Sequence, residues 1–488
     1  MTGSFQTMVT QGVWSAVVSS TAGSSSSTGE VDTTPLCTGP PGPPYCVPVT
    51  STPGWAPGAA ASTALLTDHY ELTMLQAALA SGAAHRRSFF ELFPRRLPAG
   101  RRYGVVAGVG RALDALEAFR FGEEELAFLR EERIVDEPTI AWLADYRFRG
   151  NVWGYPEGEI YLPYSPLLVV ESTFAEAVVL ETVLLSIYNH DSAIASAASR
   201  MTWAAGERPC IEMGARRTHE AAAVASARAA YVAGFTATSN LRARQQYGVP
   251  STGTSAHSFT LLHDSETDAF QAQVDSLGRG TTLLVDTYDI ATAVRLGVEV
   301  AGTELGAVRI DSGYLGVLAH EVRRQLDDLG AHDTRVIVTS DLDEFAIAGL
   351  SSAPVDGYGV GTELVVGSGH PTCGFVYKLV AREDDHGTLV GVAKKSTDKI
   401  SIGGRKYALR RLSPQGVAEA EVVGIGSPAV NDGDDRPLLT PLVRDGEVVG
   451  REPLKAARQR HLRSRDELPQ VARQLSKGDP VIETIHER

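Results

Sequence analysis

V-R-I-D-S-G, at positions 308–313, opens on strand-forming apolar residues and turns polar at its C-terminal end. Side chains alternate along a strand, so Arg309 and Asp311, two apart, share one face. Three stretches repeat the design: L-L-V-D-T-Y-D at 283–289, I-V-T-S-D at 337–341 and Y-G-V-G-T-E at 358–363. A fourth, S-T-G-T-S-A-H-S at 251–258, sets one imidazole, His257, at the expected open end of a strand. Short apolar runs with their polar ends on one side are how a β/α barrel presents chemistry at its mouth.

Outward from that core, strands are expected to begin near Cys210, Gly234, Val249, Thr281, Ala307, Arg335, Asp356 and Phe375. Helical patterns, such as 218–232 and 316–329, separate most of them. This rhythm predicts an α/β fold with an irregular β/α barrel, an open doubly wound sheet being the alternative. Residues 63–79 read as a helix, 89–93 as a strand and 151–170 as β-rich. The Ala-rich pattern at 174–201 predicts a long helix buried between domains. Residues 387–412 alternate and are expected to pair with the 151–170 strands. The resulting organisation has a β-rich N-terminal domain, 63–170, completed by 387–450. The long helix and barrel span 171–386, and a solvated helical segment spans 451–488.

Residues 1–62 differ from the rest, with a Ser run at 24–27, a Pro-rich stretch at 40–44 and no Lys or Arg before Arg86. They are expected to be a disordered tail or a spurious upstream start. The 488 residues carry a net charge of −14, so no basic field draws in nucleic acid. Four cysteines, at 37, 46, 210 and 373, include no C-x-x-C pair and form no disulfide framework. Apolar runs fall short of the roughly 20 residues of a membrane span. A cytoplasmic protein without nucleic-acid or membrane partners is expected.

Arg309 and Asp311 have two readings: a mutual structural ion pair, or an Arg that clamps a substrate carboxylate beside an Asp at the reacting centre. Asp286 and Asp289 are candidate Mg²⁺ ligands, although Asp289 also suits a helix N-cap. Ser340 and Asp341 share that ambiguity. Gly357, Gly359 and Gly361 bare one strand face; with Thr362 they would cradle phosphate, or admit a bulky neighbour. Arg216 and Arg217 are expected to serve an anion or to start a solvated helix. Lys394, Lys395, Lys399, Arg405 and Lys406 form a basic cluster, either solvated or phosphate-gathering. No G-x-x-x-x-G-K-[ST] motif is present, so an ATP site would not be a P-loop.

With these residues assembled, the chain resembles the nicotinate phosphoribosyltransferases from about Leu65 to Leu412. The resemblance rests on T-D-x-Y-E-L-T-M at 67–74, F-x-L-F-P-R at 90–95, L-E-T-x-L-L at 180–185 and M-G-A-R-R at 213–217. G-T-S-A-H-S at 253–258, R-I-D-S-G at 309–313, S-D-L-D-E at 340–344 and G-V-G-T at 359–362 complete the set. It implies a type II phosphoribosyltransferase-like barrel with a split N-terminal domain, working as a homodimer. It also implies conversion of nicotinate and phosphoribosyl pyrophosphate to nicotinate mononucleotide and pyrophosphate, with Mg²⁺ and with ATP as co-substrate. By the same resemblance His257 would be phosphorylated and Arg309 would face the nicotinate carboxylate. Asp311 would sit by the ribose, Tyr70 would stack on the pyridine from the same or the partner subunit, and Arg216, Ser340, Gly361 and Thr362 would bind substrate. His69 departs from the apolar or small residue usual there.

Nicotinamide is the close alternative substrate; relatives using it place an Asp after the second barrel strand, where this chain has T-A-T-S-N at 236–240. Quinolinate would demand more cationic groups. A catalytically inactive nucleotide-binding barrel would lack the His, Arg or Gly cradle, and a sugar-phosphate lyase would want a Schiff-base Lys or a metal-ligand set.

Overall fold

Six parallel strands form the sheet that carries the chemistry, in the spatial order Ala237–Thr238, Cys210–Glu212, Gly357–Val360, Arg335–Ser340, Ala307–Ile310 and Thr282–Leu284. The computed structural model describes residues 61–394 and 401–488. Helices Ile290–Ala301 and Leu315–Asp328 carry the chain back between neighbouring strands. Outward-facing Leu283, Val308, Ile310, Val336 and Val338 pack with Val294, Val322 and Leu326 of those helices in one buried core. Each such side chain contributes about 1.5–3 kcal/mol relative to exposure.

The sheet curls into a half-barrel, in keeping with the irregular barrel expected, and it has fewer strands than expected. The strand expected near Val249 is reduced to a single bridge, Thr238 to Ser251. The strand expected near Phe375 belongs elsewhere: Phe375–Glu383 pairs antiparallel with Arg87–Pro94. Its burial alternates over 375–378 and leaves about half of its residues partly exposed, which suits an antiparallel sheet rather than a parallel sheet covered on both faces.

That second sheet has seven strands, ordered Leu389–Gly391, Phe375–Glu383, Arg87–Pro94, Leu168–Thr173, Asn151–Gly154, Thr440–Arg444 and Glu447–Val448. Among the described residues of the 387–412 stretch, only Leu389–Gly391 joins it, at the far edge from Asn151–Gly154. Lys406–Leu412 enters a separate four-stranded sheet with Ala418–Ile425, Arg436–Pro437 and Glu483–Glu487. The expectation for residues 1–62 lies outside the described residues except at its end, where the Ser62 hydroxyl donates to the Arg120 carbonyl.

The long helix is Glu181–Ala205, preceded by a short helix at Phe174–Val178. Its serines replace ladder partners for the segment 103–107. Ser196 and Ser192 accept from the Val105 and Ala107 amides at 2.9 and 3.1 Å, and Ser199 pairs with the Tyr103 hydroxyl at 2.9 Å. An Ala/Ser-rich helix can approach backbone this closely because it has no bulk in the way.

The segment 451–488 is not a solvated outer helix. Helix Leu454–Asp466 is followed by a terminal strand, Glu483–Glu487, parallel to Ala418–Ile425. The Arg458 guanidinium donates to the Tyr231 and Gly234 carbonyls at 2.7 and 2.9 Å, closing the C-terminal end of barrel helix Glu220–Val232. No described helix is long and apolar enough to cross a membrane.

His461 lies buried in the Leu454–Asp466 helix, and burial, then the Arg465 charge, pushes its imidazole from an ordinary 6.5 down to about 3. The unfolded chain therefore binds the proton more readily below pH 6.5, so this contribution to stability is complete above 6.5 and lost as pH falls toward 3. In urea titrations the wild type should lose stability between pH 6.5 and 4 more steeply than His461→Leu. Parallel pH profiles would show that His461 does not titrate on unfolding.

Candidate active site

Parallel register lines up two rows of side chains on the inner face of the sheet. Leu284, Arg309, Ile337 and Gly357 are neighbours across four strands. One step toward the mouth, the Asp311 carboxylate takes the Thr339 hydroxyl, and Thr339 pairs with Gly359. A Cβ at Gly359 would lie 2.4 Å from Thr339 Cγ2 and 2.7 Å from Met213 Sδ. The glycine is thus required by packing, the second of the two readings the alternate glycines allowed.

Asp286 follows the Thr282–Leu284 strand, and its side chain is 2% exposed. Its Oδ2 accepts from the Asp311 amide at 3.0 Å and the Ser312 hydroxyl at 2.7 Å, which ties the two neighbouring loops together. Its Oδ1 is buried and makes no hydrogen bond among the described residues. His257 faces that oxygen, with Nε2 3.8 Å from Asp286 Oδ1 and 4.0 Å from Asp311 Oδ2. On the other side of the ring, Nδ1 lies 3.1 Å from Thr287 Oγ1. His257 is the first residue of the short helix His257–Leu262 rather than a strand end.

Arg309 sits beneath this group. Burial pulls its guanidinium pKa down and the Arg216 charge adds to that, while Asp311 and Asp286 oppose them. Its Nε is buried without a hydrogen-bond partner. Neither carboxylate forms an ion pair with it within 4 Å, so the mutual structural bridge read as an alternative is not what the geometry shows. A half-buried cation with an unfilled donor is suited to a carboxylate ligand.

Around the mouth, Arg216 is exposed on the loop after Cys210–Glu212. Ser340 ends its strand exposed, its carbonyl taking the Leu342 amide at 2.8 Å. Gly361 precedes Thr362–Val365, one turn of helix on the same edge. Glu212 was not singled out in the sequence. It is fully buried and takes the Gly214 amide and the Thr238 hydroxyl, so it anchors the M-G-A-R-R loop. Burial pushes its carboxyl up, against those hydrogen bonds.

Other candidates lie elsewhere. Asp289 is the N-cap of Ile290–Ala301, its side chain accepting from the Thr292 amide; those bonds hold the exposed carboxyl low. Tyr70 is 47% exposed and lines an open cavity of about 370 Å³ with Asp68 and Glu181, to which no mouth residue contributes. Burial, with Glu181 next, pushes its phenol up to about 12. The basic cluster is dispersed: Lys406 is buried on Glu91 at 2.9 Å, and Arg405 lies over the Trp153, Tyr407 and Phe89 rings. Lys394 is exposed, while Lys395 and Lys399 fall outside the described residues. Cys210 and Cys373 are free and buried; Cys37 and Cys46 are not described. Among the described residues no group of three or more His, Cys, Asp or Glu could hold a metal ion.

Residues 65–189 match the family model for the nicotinate phosphoribosyltransferase (NAPRTase) N-terminal domain. The chain is 56% identical over 429 residues to the nicotinate phosphoribosyltransferase pncB1 of Mycobacterium tuberculosis, covering 86% of this chain and 94% of that one. The chain belongs to the nicotinate phosphoribosyltransferase family. A Bacillus subtilis nicotinate phosphoribosyltransferase is 36% identical over 384 residues, covering 76% of this chain and 78% of that one. The crystal structure of human nicotinic acid phosphoribosyltransferase superposes with a TM-score of 0.74 at 25% identity, covering 87% of this chain and 98% of that one. The two relatives and the human structure each match most of the chain.

Removing Asp286 as an acceptor strands the Asp311 amide and the Ser312 hydroxyl. Asp286→Ala should lower stability by about 2 kcal/mol, whereas Asp286→Asn, which keeps an acceptor, should lose much less. Both should lose turnover. Equal destabilisation of the two variants in chemical denaturation would contradict the tie between the loops.

Proposed function

We propose that this chain joins nicotinate to phosphoribosyl pyrophosphate, giving nicotinate mononucleotide and pyrophosphate for NAD salvage, and couples the reaction to ATP hydrolysis through His257. The observation that carries this reading is the half-buried Arg309, its buried Nε unpartnered, beneath a histidine whose Nε2 faces two carboxylates. Arg309 would hold the nicotinate carboxylate in a bidentate fork. The pyridine nitrogen would attack the anomeric carbon as the bond to pyrophosphate breaks. Asp311, whose side chain is 42% exposed at the mouth, would stabilise the positive charge that develops on the ribose, more in the transition state than before it. Gly361, Thr362 and Ser340 would take the 5′-phosphate, and Arg216 a substrate phosphate.

His257 would accept the γ-phosphoryl group of ATP on a ring nitrogen, releasing ADP, and water would later release phosphate from the phosphohistidine. Per turnover, nicotinate, phosphoribosyl pyrophosphate, ATP and water give nicotinate mononucleotide, pyrophosphate, ADP and phosphate. Mg²⁺ would neutralise the pyrophosphate leaving group. The orphaned Asp286 Oδ1 and the half-exposed Asp311 carboxylate suit such an ion, the substrate phosphates completing its shell.

Nicotinate is favoured over nicotinamide by the loop after the second barrel strand. There the sequence is T-A-T-S-N at 236–240, without a carboxylate, and Asn240 caps the next helix. We infer a homodimer, because Tyr70 is exposed away from its own mouth and would stack on a pyridine in a second copy. We place the enzyme in the cytoplasm, where ATP and phosphoribosyl pyrophosphate are made.

The test offers nicotinate, nicotinamide or quinolinate with phosphoribosyl pyrophosphate and Mg²⁺, each with and without ATP. Nicotinate mononucleotide alone, formed faster with ATP, is expected. Product from nicotinamide would favour the alternative substrate, and no product would favour an inactive nucleotide-binding barrel. His257→Ala should abolish ATP stimulation and leave slow transfer, because positioning of both substrates survives. Full stimulation in that variant would remove His257 from the role. Arg309→Ala should raise KM for nicotinate about a hundredfold, equivalent to about 2.7 kcal/mol. An equal rise for phosphoribosyl pyrophosphate would argue against the carboxylate clamp.

A further inference from the structure

We propose that Tyr288 and Tyr314 form a stacking platform for the purine base of the nucleotide that phosphorylates His257; this rests on the phosphohistidine reading above. Tyr288 directly follows Thr287, whose hydroxyl holds His257 Nδ1 at 3.1 Å, and it is 62% exposed. Tyr314 stands three residues after Asp311 and is 88% exposed. Their loops are neighbours, since Thr282–Leu284 and Ala307–Ile310 pair in parallel. The Asp286 carboxylate binds the Asp311 amide and the Ser312 hydroxyl, so the two loops are fastened to each other at the base of the platform.

Tyr314 is also the wrong residue for stability. It occupies the N-cap of helix Leu315–Asp328 and makes no side-chain cap bond. After neighbouring strands the same position holds Asn240, Asp289 or Asp343, each accepting an amide of its helix. An aromatic there forgoes the cap and leaves a large apolar face in water. A planar heteroaromatic base stacks on such a face with little demand on its identity, and hydrogen bonds to its edge are not needed. With the base held on the two tyrosines, the phosphate chain runs inward over the fastened loops toward His257. The ring of the nucleotide and the phosphorylated imidazole would then share one pair of loops. A second copy of the chain resting on these rings is the competing occupant.

The test uses the full chain carrying Tyr288→Ala, Tyr314→Ala or both, with the corresponding Phe variants. KM for ATP should rise about tenfold per alanine, with phenylalanine retaining most of the affinity. Inhibition by tripolyphosphate, which has the phosphate chain without the base, should be unchanged in competition with ATP. KM for nicotinate, the ATP-independent rate and the mass in solution should also be unchanged. An unaltered KM for ATP, or an equal loss of tripolyphosphate binding, would overturn the platform. A change of mass in step with the loss would assign the rings to a subunit contact instead. If the wild type showed no ATP stimulation at all, the phosphohistidine reading would fail first and the platform with it.

Discussion

The Asp286 carboxylate is the constraint on which the mouth of the parallel sheet depends. It is buried, and one of its oxygens is committed to the Asp311 amide and the Ser312 hydroxyl on the next strand's loop. The other oxygen is left open toward His257. A buried charge is tolerated only with partners, so loosening the loops while the carboxylate stays buried would strip it of two donors. Thr287, the next residue, then holds the far side of the imidazole. Histidine orientation and the spacing of both carboxylates thus follow from one side chain and its neighbours.

The rest of the sheet is arranged to leave room above this group. Parallel strands deliver every chain end to the same edge, where loops bear the polar residues and helices cover the outer face. Inner positions alternate between a filled row at Arg309 and Ile337 and a row narrowed to Gly359, where Thr339 and Met213 meet. Glu212 fixes the loop that carries Arg216 from beneath. The long helix meets the segment 103–107 through serines rather than bulky residues.

Much of this was legible in the sequence because strand ends announce themselves: an apolar run that turns to D-T-Y-D or R-I-D-S-G states both its direction and its polar edge. The local pattern does not state which sheet a strand joins. Phe375–Glu383 has the apolar content of a barrel strand, yet its partners are Arg87–Pro94 and Leu389–Gly391. The Lys/Arg cluster read as one surface feature because charge in sequence is blind to burial. Lys406 is taken inward by Glu91, which lies 315 residues away in the chain. Glu212 gave no signal, since a carboxylate inside an apolar strand is recognisable only once its two donors are in place. The spacing in V-D-T-Y-D did mark Asp289 as a cap as readily as a ligand, and the helix after it shows the first.

The most direct test of the account is transfer of labelled phosphoryl from ATP to the enzyme in the absence of the other substrates. The account predicts an acid-labile, base-stable label on His257, discharged when nicotinate and phosphoribosyl pyrophosphate are added. A label on another residue, or none on a chain that still hydrolyses ATP during turnover, would contradict it.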